Sequence, residues 1–164
     1  MIVFVEGVDG SGKSTLCNEL SVLNYDTICI GRHYDDPVHT WQKINDTYAD
    51  SVVICDRSFI TDLVYRLQDK DPRSTLTLTE MCDVLRQNAM IIHCKTDSSF
   101  TDAMNRGEDN IRSKNQADRI KHLYDIIIKM FNKFEDIPVL EYNWKTNNVL
   151  DVVKFIEGGR NGIR

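Results

Sequence analysis

The stretch FVEGVDGSGKST, residues 4–15, holds the residues whose types and spacing most directly suggest chemistry. Gly7, Gly10 and Gly12 punctuate it and Lys13-Ser14 follow, so residues 7–14 satisfy the spacing G-x-x-x-x-G-K-[ST]. Glycines at these places let the backbone turn tightly, with N–H groups pointing inward at phosphate oxygens. A helix starting directly after the loop adds the positive end of its dipole. Lys13 is then placed to bridge terminal phosphates, and the Ser14 hydroxyl to ligate Mg²⁺. Ser11 and Thr15 belong to the same triphosphate-binding stretch.

A second group is VVICDRS, residues 52–58. An acid at the carboxyl end of a buried strand stands at the rim where open α/β sheets bind ligands. Asp56 there has two uses, accepting a proton from an attacking hydroxyl or holding Mg²⁺. Arg57 offers a planar fork to a phosphate. Ser58 stands just before a helical pattern and suits its cap. A third group is DAMNRGEDNIR, residues 102–112, where Arg106 and Arg112 could supply cations around a transferring phosphoryl group.

The elements that must position these groups are legible as alternating patterns. Apolar runs at Ile2–Val5, Thr27–Ile30, Val52–Cys55, Met90–Cys94 and Pro138–Tyr142 are continuous, as in strands buried on both faces of a parallel sheet. Between them lie helix-period stripes: Leu16/Leu20/Leu23, Trp41/Ile44/Tyr48, Ile60/Leu63/Val64/Leu67 and a long one from Ile120 to Phe134. Val149 to Ile156 predicts a last helix closed by Gly158 and Gly159, with a loose tail after it. The alternation predicts a three-layer α/β fold.

The bulk numbers agree with one domain spanning 1–164, 41% apolar and 27% charged. A net charge of −5 supplies no global basic field for nucleic acid. The five cysteines lack C-x-x-C or zinc spacing and read as buried free thiols in a reducing cytoplasm. The chain opens on a strand with no signal peptide, and no apolar run reaches the roughly 20 residues of a membrane span, so a cytoplasmic protein is expected.

With these motifs in hand, the chain resembles thymidylate kinases and their relatives, the deoxynucleoside kinases. FVEGVDGSGKST is similar to their opening, CDRS to their Asp-Arg or Glu-Arg-Ser motif, and residues 102–112 to their lid. The resemblance implies the P-loop NTPase fold with a five-stranded parallel sheet, a lid near 97–114, ATP and Mg²⁺ as cofactors, and a homodimer. It also implies that Arg106, and after it Arg112, carries the catalytic cation, because the loop itself has no arginine.

The acceptor stays open. Thymidylate kinases usually carry an acid at the position of Asp9, where it reaches the acceptor sugar, whereas Asp-Arg-Ser is nearer the nucleoside kinase triplet. Only 43 positions separate Lys13 from Asp56, a shorter interval than in the resembling enzymes, leaving a short acceptor region near 31–50. Arg32 is its best cation for a monophosphate, and Tyr34, Trp41 and Tyr48 are candidate stacking rings. The i, i+7 spacing of Trp41 and Tyr48 favours core packing over stacking. His33 and His39 have no ligand spacing. The leading expectation is phosphorylation of a deoxynucleoside monophosphate. The alternatives are a nucleoside 5′-hydroxyl, a polynucleotide or modified base in DNA, and a non-catalytic nucleotide-binding module.

Overall fold

Every residue of β1 (Ile2–Glu6) and of β4 (Ala89–Cys94) is buried, as continuous apolar runs require when both faces of a strand are covered. In the computed structural model these two strands pair in parallel at the centre of a five-stranded sheet. The order is β2-β3-β1-β4-β5, with β2 (Asp26–Cys29), β3 (Val53–Asp56) and β5 (Val139–Tyr142) completing it, all parallel. The structure describes residues 1–30, 37–70, 77–107 and 111–162.

Strand alternation divides the core in two. Phe4, Val53, Cys55 and Ile91 face a cluster built with α2 (Pro37–Thr47), α3 (Phe59–Asp69), α4 (Leu78–Arg86) and α6 (Lys114–Glu135). Val3, Val5, Ile54 and Ile92 face the opposite cluster, built with α1 (Lys13–Val22) and α7 (Val149–Gly162). Helices on both faces of a parallel sheet give the three-layer α/β arrangement expected from the sequence. Among the described residues no helix is long and apolar enough to cross a membrane.

Four details depart from expectation. Helix α4 has no counterpart in the sequence reading, although Thr77 and Glu80 form a capping box at its start. Helix α7 does not close at Gly158-Gly159 but runs to Gly162. Gly159 lies against Met90 of β4, whose Sδ would be 2.5 Å from a Cβ there, whereas Gly158 faces open space. Cys29 is exposed while the other four thiols are buried, all five unbridged. Phe134, the last of the α6 stripe, is 71% exposed.

Candidate active site at the strand carboxyl ends

The loop after β1 adopts the turns its glycines allow, with φ of 146° at Gly7, 83° at Gly10 and 91° at Gly12. Gly12 is the N-cap of α1, so the helix begins at Lys13 and aims its free N–H groups at the loop. Neighbours press closely on this loop. A Cβ on Gly10 would lie 1.9 Å from the Ser99 carbonyl oxygen, and one on Gly12 would lie 2.2 Å from Cδ1 of Trp144.

Lys13 is buried, and its ammonium donates to the carbonyls of Gly7 at 2.7 Å and Val8 at 2.9 Å. Burial, then the nearby Arg57 charge, pushes its pKa down. Ser14 Oγ donates to Asp56 Oδ2 at 3.2 Å, so the two expected metal ligands meet. The other oxygen, Asp56 Oδ1, is buried with no hydrogen-bond partner among the described residues. A hydroxyl and a carboxylate with a spare buried lone pair form a hard oxygen set that fits Mg²⁺.

Asp56 is paired with Val5 across the β3–β1 ladder, which sets the next residue beside the phosphate loop. Arg57 turns there with φ of 77°, a conformation non-glycine residues seldom adopt. Its Nη2 donates to Asp9 Oδ1 at 2.6 Å, and Tyr65 Oη donates to Asp9 Oδ2 at 3.0 Å. Burial disfavours the Asp9 carboxylate, but the charges of Lys13 and Arg57 and bonds from Arg57 and Tyr65 outweigh it and hold its pKa at about 2. Burial opposes the Arg57 charge as well, yet Asp9 more than compensates and its pKa is raised. The other Arg57 terminal nitrogen, Nη1, is buried without a hydrogen-bond partner among the described residues.

Asp9, Gly10, Gly12, Lys13, Ser14, Arg57 and Arg106 together line a cavity of about 120 Å³. Thr15 is exposed in the first turn of α1, and Ser11 is buried within the loop with its hydroxyl unpartnered among the described residues. Arg106 reaches the cavity from the end of α5 (Ser99–Asn105). Arg112 does not line it: its backbone N–H donates to Gln116 and its side chain is exposed ahead of α6. Of the two uses open to Trp41, a stacking ring or core packing, the structure shows the second: it is 1% exposed and edge-on to Phe4 and Phe59. A ring wedged between two others has no open face for a base. Arg32, Tyr34 and His33 lie outside the described residues.

Three groups escaped the sequence reading of the site. Glu6 is wholly buried beneath it, accepting from Ser58 Oγ and from Thr61 Oγ1 at 2.6 Å, and burial raises its pKa. The signal was an acid ending an otherwise apolar strand. Tyr65 stands among the residues of the apolar stripe of α3, which masks it in the sequence. Trp144 lies far along the chain with no motif around it. Ser58 serves as expected, capping α3 by accepting from Ile60 N at 3.1 Å.

No family model and no curated protein matches the chain. Solved structures do. YorR from Bacillus subtilis, in complex with phosphorylated GDP, is 21% identical with 98% of both chains covered and a TM-score of 0.76. Deoxyadenosine kinase from M. mycoides, with products dCMP and dCDP, is 16% identical, with 99% of this chain and 100% of the other covered and a TM-score of 0.63. Thymidylate kinase from Candida albicans is 16% identical over 98% of this chain and 92% of its own, with a TM-score of 0.65. With its phosphate loop after β1 and its β2-β3-β1-β4-β5 sheet, the chain has the fold of deoxynucleoside and thymidylate kinases.

Proposed function

We propose that the protein is an ATP- and Mg²⁺-dependent phosphotransferase that phosphorylates a deoxynucleoside monophosphate. Arg57 carries this reading: it is a cationic fork beside the phosphate loop, with one nitrogen on Asp9 and the other buried with no hydrogen-bond partner among the described residues. A buried charged donor left unsatisfied is costly, and an anion entering the cavity relieves that cost. The loop amides and Lys13 hold the donor triphosphate, and Arg106 stands where charge spreads on the transferring group. Ser14 and Asp56 are the residues that would hold Mg²⁺. The ion supplies charge neutralisation between the donor phosphates. Asp9 and Tyr65 orient Arg57 toward the acceptor phosphate.

The nucleoside alternative drew on the Asp-Arg-Ser triplet. Ser58 is 2% exposed and bonded to Glu6 and Ile60, so packing accounts for that serine without an acceptor. The test is a transfer assay with γ-labelled ATP offered nucleosides, deoxynucleoside monophosphates and 5′-hydroxyl oligonucleotides in parallel. Label on monophosphates, abolished by Lys13→Ala, is the expected result. Label only on nucleosides or oligonucleotides overturns the acceptor assignment, and label on none of them leaves a nucleotide-binding module.

A further inference from the structure

The phosphate loop is pressed from two sides, by α5 at Gly10 and by the turn after β5 at Gly12. One side chain joins these two flanks. Lys145, next to Trp144, donates to Ser98 Oγ and lies 3.0 Å from Asp102 Oδ2. Its own turn is braced, with Lys145 N on Asn143 Oδ1 at 3.0 Å and Asn143 N on Asn147 Oδ1 at 2.7 Å. The ammonium is therefore presented from a fixed loop.

Asp102 stands four residues before Arg106, the spacing at which an acid and an arginine pair along a helix. Such a pair would draw the guanidinium back along α5. Instead the Asp102 carboxylate accepts from Ser98 Oγ at 2.6 Å and is held by Lys145; the Ser98 bond first, then Lys145, then the charge of Arg106 keep its pKa low. Arg106 donates from Nε to the Asp102 backbone carbonyl at 3.2 Å and lines the phosphate cavity. We propose that Lys145 is a positioning residue: by occupying Asp102 it stops that carboxylate from capturing Arg106, and so keeps the guanidinium at the phosphates. This rests on the reading of Arg106 as a phosphate-facing cation.

The test is turnover with ATP and an equimolar mixture of the four deoxynucleoside monophosphates. Lys145→Met lowers turnover about threefold, the size expected when a helix-surface ion pair competes for the arginine. Asp102→Asn alone stays near wild type, and Lys145→Arg retains activity. The discriminating variant is the Lys145→Met/Asp102→Asn double, which regains wild-type turnover because the capturing carboxylate is gone. A clasp that merely braced the fold would lose activity in all three variants lacking the ion pair. An unchanged Lys145→Met, or a double variant as impaired as the single, overturns the proposal. Arg106→Ala separates the two levels. If it leaves turnover intact, the Arg106 reading falls and this proposal with it. If it abolishes turnover while Lys145→Met does nothing, only the role of Lys145 is lost.

Discussion

Arg57 Nη2 donates to Asp9 Oδ1 at 2.6 Å, joining a residue of the phosphate loop to one that lies 48 positions further along the chain. The acid inside an anion-binding loop thus has its partner, and the strained turn at Arg57 has its anchor. Asp9→Asn removes the charge from a pair whose carboxylate is fully buried, with an expected loss of about 2–3 kcal/mol. A urea double-mutant cycle with Arg57→Ala checks it, and coupling below about 0.5 kcal/mol contradicts the pairing. Because the Asp9 pKa is lowered to about 2, its contribution is full above the unfolded value near 4 and fades as pH falls toward 2.

Asp56→Asn keeps the shape of the side chain but removes its charge. Turnover is expected to fall about a hundredfold or more, with the Mg²⁺ concentration for half-maximal rate moving upward. Titrating Mg²⁺ in the transfer assay measures both. An unaltered Mg²⁺ dependence removes Asp56 from metal binding.

Gly12→Ala meets two obstacles, the 2.2 Å approach of Trp144 and a φ of 91°. The expected loss is about 2–3 kcal/mol, read from urea midpoints. Adding Trp144→Ala relieves the collision but not the backbone, so the double variant should recover only part of the loss. Full recovery would show that the φ carries no penalty.

His93 is buried on β4, and burial, then the Lys95 ammonium, lowers its pKa to about 4 despite Asp125 and Glu141 nearby. An unfolded histidine binds its proton near pH 6.5, so the folded state loses ground as pH falls from there to about 4. The expected decline is up to about 3 kcal/mol. Urea midpoints of wild type and His93→Gln at pH 7 and pH 5 test it. The variant should show the smaller drop, and equal drops would assign the acid sensitivity elsewhere.

The central strands were legible because buried parallel strands leave continuous apolar runs, and β1 at Ile2–Glu6 differs from its expected span only by the terminal acid. The edge strands β2 and β5 are only partly buried, contrary to the expectation of cover on both faces. The tight turns at Gly7, Gly10 and Gly12, and the approach of Asp56 and Arg57 to that loop, were legible because the motif uses fixed residue types at fixed spacing. The short α4 was not, since its cues are a local capping box and few apolar residues. Trp41 carried an ambiguity that periodicity cannot resolve, as a ring on a helical stripe serves a core or a ligand. Tyr65 and Trp144 reach the glycine loop only through long-range packing, and Lys145 reaches Asp102 in the same way. Nothing in their immediate neighbours announces that role.

The Val5–Asp56 pairing has a consequence for how this chain tolerates change. Strand side chains alternate faces, so a one-residue slip of β3 against β1 would turn Asp56 to the opposite side and carry Arg57 about 3.3 Å from Asp9. A single deletion inside Val53–Asp56 is then more damaging than an insertion in the connection between β2 and β3. What the pairing with β1 fixes is the phase of these four residues, and with it the side of the sheet on which Asp56 stands.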